Sequence, residues 1–458
     1  MITLQENSQT SYQLPPQVIE PAWYQTARAI LQPLENLDWH QKKYGDIFIS
    51  RFLGLPSQVI ISHPQAIQEL FTADAKLFET GSGGKIVQPL LGSNSLVLLD
   101  GDRHLQQRKL LMPPFHGERM KAYGNLICEI ATQATSQWQI GQVFLARPSM
   151  QEISLKVILR AVFGLTEGER YQQIQRILIE MLDTFNQPLS VVFLFFPSLQ
   201  KDLGAWSPWG KFIRRRQQLD ELIYQEIRER RQQPESQGED IFSLLLSARD
   251  DNNQPMSDVE LRDELMTMLF AGHETTAIAL AWALYWIHYQ PEVLEKLLQE
   301  LNSIDIANAD PTTIAQLPYL NAVCSETLRI YPIVFFCLPR ILQAPMQLMG
   351  YDLPKGMTIS ACIYSTHHRP DIYPEPERFR PERFLERQFS PYEFLPFGGG
   401  NRRCLGMAFA LFEMKLVLAT IISHYSLELL EKAPLKPVRR GIVFTPAGGV
   451  RLMVKHKF

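Results

Sequence analysis

Hydrophobic and polar positions change period several times along the chain. Residues 44–63, YGDIFISRFLGLPSQVIISH, alternate apolar and polar around Gly54 and Pro56, which predicts a strand hairpin. From His104 to about Tyr289 the dominant period is helical, and stretches such as 152–163 and 217–231 predict helices with one buried face. Residues 265–287, LMTMLFAGHETTAIALAWALYWI, are apolar almost all round, which predicts either a membrane span or the central helix of a large protein. The acidic flank DVELRDEL and the polar His273 and Glu274 near the middle favour the central helix. Residues 346–363 predict a second hairpin, turned at Pro-Lys-Gly. Residues 370–396 hold six prolines and predict an ordered meander, followed by a helix over about 405–423.

The pattern therefore predicts a mainly α fold with a smaller β-rich part. A length of 458 residues sets a prior of about three domains. The chain shows no repeat, low-complexity tract or Gly/Ser linker, so one domain over residues 1–458 is expected, with 1–16 a polar leader ending at Pro15-Pro16. That leader lacks the basic, apolar and cleavage regions of an export signal, and no apolar run near it is long enough for a membrane anchor.

Charge narrows the function classes. Lys plus Arg is 45 and Asp plus Glu 48, a net charge of −3, which offers no field for nucleic acid. The basic runs 211–216 and 228–231 are expected to be solvated helix faces. Five cysteines, without a CxxC pair, argue against a disulfide scaffold or structural zinc and for a reducing, cytoplasmic setting. Two other motifs fail on spacing. Gly81–Lys85 lacks the earlier glycine and the following Ser/Thr of a phosphate loop. His273-Glu274 has Ala277 where a zinc protease needs its second histidine.

The central helix breaks its apolar pattern at Gly272–Thr276. Ala271 and Gly272 lack bulk, so a flat group could lie there, and Thr275 shares the face of Ala271 while Glu274 is offset by about 100°. Two readings are open. Either the threonines bond back to preceding carbonyls and Glu274 finds a salt bridge, or the polar group serves a reaction. Glu326 and Arg329, spaced i and i+3, form a pair that is commonplace on a helix surface; Arg383 could join it if the meander folds back. The strongest local signal is Phe397-x-x-Gly400-x-Arg402-x-Cys404-x-Gly406. Glycines, two flanking arginines and a following helix favour a thiolate at Cys404, as a metal ligand or a nucleophile. The other four cysteines read as small buried residues.

Taken in order, His104-x-x-x-Arg108, Ala271-Gly272-x-Glu274-Thr275-Thr276, Glu326-x-x-Arg329, Pro381-Glu382-Arg383-Phe384 and the Cys404 loop resemble the cytochrome P450 family of haem-thiolate monooxygenases. The resemblance covers essentially the whole chain and implies a P450 fold, with haem b (iron protoporphyrin IX) between the long helix and the cysteine loop. It implies Cys404 as the iron ligand with Phe397 packed beside the sulfur. Ala271 and Gly272 would lie against the haem and O2, and Glu274 and Thr275 would relay protons there. Glu326, Arg329 and Arg383 would form a buried structural triad. His104, Arg108, Arg340 and Arg402 would hold the propionates, although some members carry Trp in place of His104.

No fused reductase fits within the chain, so electrons are expected from a separate ferredoxin or flavodoxin with its NAD(P)H reductase. Lys109, Arg119, Arg403 and Lys415 are candidates for a basic docking face; scattered surface charge is the alternative. The substrate implied is an apolar small molecule, lined by Leu91, Val97, residues 181–196 and Val334-Phe335-Phe336. A long-chain fatty acid is the first expectation, and a terpenoid, steroid-like or polyketide molecule the competitor. The apolar stretch 189–197 is expected to be an access lid with peripheral membrane contact, or else core. Peroxygenase or isomerase chemistry, and a non-catalytic haem sensor, are the other functional classes; the Glu274-Thr275 pair counts against both.

Overall fold

The computed structural model describes residues 13–115, 117, 119–186, 199–233, 238, 240–306 and 308–458. The stretch 189–197 and most of the leader lie outside these residues, as do the side chains of 182–186. The organising element is the 32-residue helix Asp258–Tyr289, hereafter the central helix. Ser257 and Glu260 close a capping box at its start, which satisfies free N–H groups and sets acidic charge at the positive helix end. Helical residues from Leu261 to Ile287 are buried with few exceptions. Trp282 and Tyr285 are among the largest wholly buried side chains. Burying each such side chain is worth about 1.5–3 kcal/mol, so packing rather than propensity holds this helix.

Among the helices that pack on it are Ala146–Phe163, Pro208–Gln232, Pro318–Ile330 and Met407–His424. The last is long and apolar enough to cross a membrane, but 61% of it is buried inside the protein. In the basic run 228–231, Arg228, Glu229 and Arg231 are exposed, as expected, while Arg230 is half-buried. Arg230 bonds Glu226, Asp240 and Ser243, and so ties its helix to the next one.

The β-rich part is a five-stranded sheet in the order Ile47–Ser50, Gln58–Ile61, Thr358–Ala361, Arg340–Leu342, Phe78–Glu79. Its first two strands are the expected hairpin, with Ile47 opposite Ile61. A three-stranded sheet joins Val143–Leu145, Arg451–Lys457 and Tyr425–Leu429. The second hairpin differs from expectation. Met346–Leu348 pairs with Tyr351–Leu353 through a two-residue turn at Met349-Gly350, both at positive φ. That turn matches the twist of the strands. The Pro354–Gly356 turn instead carries the chain into the larger sheet, where Thr358–Ala361 runs parallel to Gln58–Ile61 and is buried throughout.

Candidate functional site

The cysteine loop is shaped by its glycines. Gly398 and Gly400 hold φ of 67° and 62°, a region open to glycine at little cost. A Cβ on Gly399 would collide with the Phe71 ring. Cys404 N–H donates to the Phe397 carbonyl at 2.9 Å, which closes the loop and places Phe397 beside the cysteine. Cys404 is exposed at its surface, yet burial pushes its thiol upward, against the Gly406 N–H and the Arg108 charge, which pull it down. The two facts agree if the sulfur faces a narrow space walled by protein rather than bulk water. Desolvation weighs more on this thiol than the Gly406 N–H and the Arg108 charge do. A bound cation would reverse that balance.

The expected propionate donors gather beside this loop. Burial, together with the Arg402 and Arg108 charges, holds His104 at about 4, so it is a neutral N–H donor and not a fixed cation. The Arg108 guanidinium is half-buried, feels the Cys404 and Arg403 charges, and has no side-chain hydrogen-bond partner among the described residues. Arg340 starts a strand of the larger sheet. It donates to Leu70 O at 2.8 Å and lies over the Phe71 and Phe78 rings, and burial lowers it to about 10, still cationic at neutral pH. Arg402 is already engaged. It pairs with Asp100 at 2.5 Å and donates to Leu99 O at 2.5 Å and Leu96 O at 3.3 Å, while its Nε has no hydrogen-bond partner among the described residues. A flat, dianionic metal cofactor finds the right chemistry here: one soft sulfur, cationic guanidinium groups and an orphaned N–H.

On the central helix, Ala271 is exposed although buried residues flank it, and Thr275 one turn on is half-buried. This face therefore opens onto interior space. Thr275 Oγ1 donates to Ala271 O at 2.7 Å, and Thr276 Oγ1 to Gly272 O at 2.9 Å. Gly272 beside Ala271 is half-buried, and a side chain there would meet Ile158 Cδ1 at 2.7 Å. Glu274 and Thr275 do not converge. Glu274 is buried against helix Ala146–Phe163, paired with Arg147 Nη2 at 2.9 Å and bonded by Gln151 Nε2. The local geometry is the back-bonded, salt-bridged alternative.

Behind the loop, Glu326 and Arg329 are wholly buried, not an ordinary surface pair. Arg329 clasps Glu326 with two bonds of 2.7 and 2.9 Å, and Arg383 Nε reaches Glu326 at 3.1 Å. Both arginines then donate to meander carbonyls, Arg329 to Arg378 O and Arg383 to Pro374 O and Arg378 O. His367 relays this order to the cysteine loop. Its Nδ1 faces Arg329 O at 3.2 Å, and its Nε2 accepts from Leu395 N–H at 3.0 Å. Leu395 O in turn takes the Gly398 N–H. Sequence reasoning missed Arg147, Gln151 and His367, since a single polar residue within a helix or loop carries no local signature of its partner. Among the proposed docking residues, Arg403 is exposed, whereas Lys415 is turned inward onto Ala315 O and desolvated, so it does not belong to a docking face.

The cytochrome P450 family profile matches residues 18–453. The protein designated cytochrome P450 135B1 of Mycobacterium tuberculosis is 35% identical over 416 residues, 91% of this chain and 86% of that one. Cytochrome P450 138 of the same species is 34% identical over 445 residues, 97% of each. Among solved structures, retinoic acid bound cyanobacterial CYP120A1 superposes with a TM-score of 0.85 at 30% identity, over 98% of this chain and 100% of that one.

Proposed function

This chain belongs to the cytochrome P450 family of haem b monooxygenases, and from that premise we propose that it hydroxylates an elongated apolar carboxylic acid, in the first place a long-chain fatty acid. The observation that carries the site is Cys404. Its sulfur is accessible yet walled in, beside the Arg108 guanidinium, which has no side-chain partner among the described residues. In this reading Cys404 ligates the iron with Phe397 against the sulfur, and His104, Arg108, Arg340 and Arg402 hold the propionates. Bound haem supplies oxygen activation, with thiolate donation favouring O–O cleavage. Ala271 leaves room for the macrocycle on the open face of the central helix. Thr275 spends its hydroxyl proton on Ala271 O, so Oγ1 presents lone pairs that orient a water on that face. Glu274 can deliver protons there only after its carboxylate leaves Arg147. Glu326, Arg329 and Arg383 keep the meander fixed behind the loop. Electrons come from a separate ferredoxin or flavodoxin and its NAD(P)H reductase, docking beside the exposed Arg403, in the cytoplasm.

The CYP120A1 relative, described as retinoic acid bound, favours a second form of the same reading, an isoprenoid acid in place of a fatty acid. The test is a spectral titration of the purified ferric protein. Fatty acids of increasing length and retinoic acid are expected to move it from low to high spin, increasingly with chain length. A shift with neutral terpenoids or steroids alone, or with none of these, overturns the substrate reading. In the same preparation Cys404→Ala is expected to lose the thiolate-type spectrum of the reduced carbonyl complex, and its retention would sink the ligand assignment.

A further inference from the structure

Residues 91–100 run as a strap between the central helix and the cysteine loop, and both sides are held by buried polar groups. From the helix, Arg262 Nη1 donates to Leu91 O at 3.3 Å, and Asp263 Oδ2 accepts the Asn94 backbone N–H at 2.8 Å. Gly92, at φ +94°, lies so close to Asp263 that a Cβ would strike the carboxylate. Glu264 Oε1 accepts Leu96 N–H at 2.8 Å and Gln107 Nε2 at 3.2 Å, and Thr267 Oγ1 bonds Ser95 Oγ at 2.8 Å. From the other side, Arg402 takes the carbonyls of Leu96 and Leu99 and the Asp100 carboxylate. Asp100 also accepts the N–H groups of Thr80 and Gly81, each at 2.9 Å. Leu96 is thus gripped at both ends of its own backbone, its N–H by the central helix and its carbonyl by an arginine two residues from Cys404.

The helix face matters. Glu264, Thr267, Ala271 and Thr275 stand at i, i+3, i+7 and i+11, along one side of the helix. At Glu264 the side is covered by the strap; two turns on, at Ala271, it is open. The strap therefore ends the open space, and its height is set by the groups that hold it. Glu264 is 1% exposed, and burial pushes its carboxyl up to about 8, so at neutral pH it is a neutral acid that a glutamine can imitate.

We propose that Glu264 is a specificity-determining positioning residue: through Leu96 it sets how far the 91–97 segment leans over the Ala271–Thr275 face, and so the length of ligand the site accepts. This rests on the reading that substrate occupies that face, but not on which acid it is. The test uses the haem-loaded protein and n-alkylimidazoles of increasing chain length, which bind haem iron whatever the natural substrate is. Imidazole itself is too short to reach the strap. Glu264→Leu is expected to bind imidazole as the parent protein does and to lose about tenfold in affinity for the long-chain members, the equivalent of about one buried hydrogen bond. Glu264→Gln is expected to restore the parent profile to within about twofold. Equal losses for imidazole and its long-chain relatives, an unchanged profile in Glu264→Leu, or a failure of Glu264→Gln to rescue would each overturn the proposal. Should Glu264→Leu not fold, Thr267→Val, which removes the Ser95 bond to the strap and a bond within the helix to Asp263 O, is expected to give a smaller shift in the same direction, and no shift would overturn the proposal. Failure of the fatty-acid reading shows separately, as parent protein that binds alkylimidazoles but gives no spin shift with any acid.

Discussion

At the scale of single residues, Glu274 and Thr275 are neighbours in the chain and strangers in space. One carboxylate is clamped by Arg147 and Gln151, while one hydroxyl stands half-open about 100° round the helix. Proton delivery therefore has two separable parts, and Thr275 controls the part nearest the open face. Thr275→Ala is expected to lower product formed per electron pair by about tenfold or more, with hydrogen peroxide released in its place, in keeping with the size of general acid–base effects. Measuring product, oxygen and peroxide together decides it: unchanged yield and unchanged peroxide would remove Thr275 from the reaction.

At the scale of elements, the helix Pro318–Ile330 matters less for its length than for one buried charge cluster. Glu326 carries a single negative charge shared by two arginines, and the surplus is spread over backbone carbonyls of the meander. A lysine cannot reproduce the two-pronged grip on Glu326 and the bond to His367 O at once. Arg329→Lys is expected to cost about 3–5 kcal/mol and to speed haem loss, since His367 and Leu395 transmit the defect to the cysteine loop. Urea unfolding and the rate of haem transfer to an acceptor protein check both. An intact unfolding midpoint would show that the cluster is not what secures the meander.

At the scale of the whole molecule, burial divides the titrating groups into two opposing sets. Desolvation lowers His40, His104 and His288 to about 4 and His368 to about 3, and lowers His273 and His367 as well. For these six the unfolded chain binds more protons below pH 6.5, so stability rises with pH up to that point. Desolvation raises Asp38 to about 6 and Glu264 and Glu413 to about 8. For these three the folded chain holds the extra proton, so stability falls as pH climbs toward the folded value. Below pH 6.5 the six histidines outweigh the three carboxyls; above it the two glutamates act against no histidine. Stability is expected to peak near pH 6.5 and then to fall by up to about 1.4 kcal/mol per pH unit for each glutamate. Glu413 is wholly buried, so Glu413→Gln is expected to halve the decline between pH 6.5 and 8 in denaturant titrations. An unchanged slope would show that Glu413 does not titrate in this range.

Local chemistry is what the sequence by itself determined. The alternation around Gly54, the apolar run of the central helix and the proline-dense meander each state their conformation through backbone preference and side-chain period, which need no distant partner. The glycine loop around Cys404 was legible for the same reason, because positive φ and close approach admit few other residues. Partners across the fold were not legible. That Arg147 holds Glu274, that His367 joins the buried triad to the cysteine loop, that Gly272 turns to Ile158, and that Thr358–Ala361 leaves its hairpin for a larger sheet are all decided by contacts between segments far apart in the chain. Even the protonation of the site followed the tertiary structure. Arginines and a helix end beside Cys404 are visible in the sequence, but the desolvation that outweighs them exists only once the walls around the sulfur have closed.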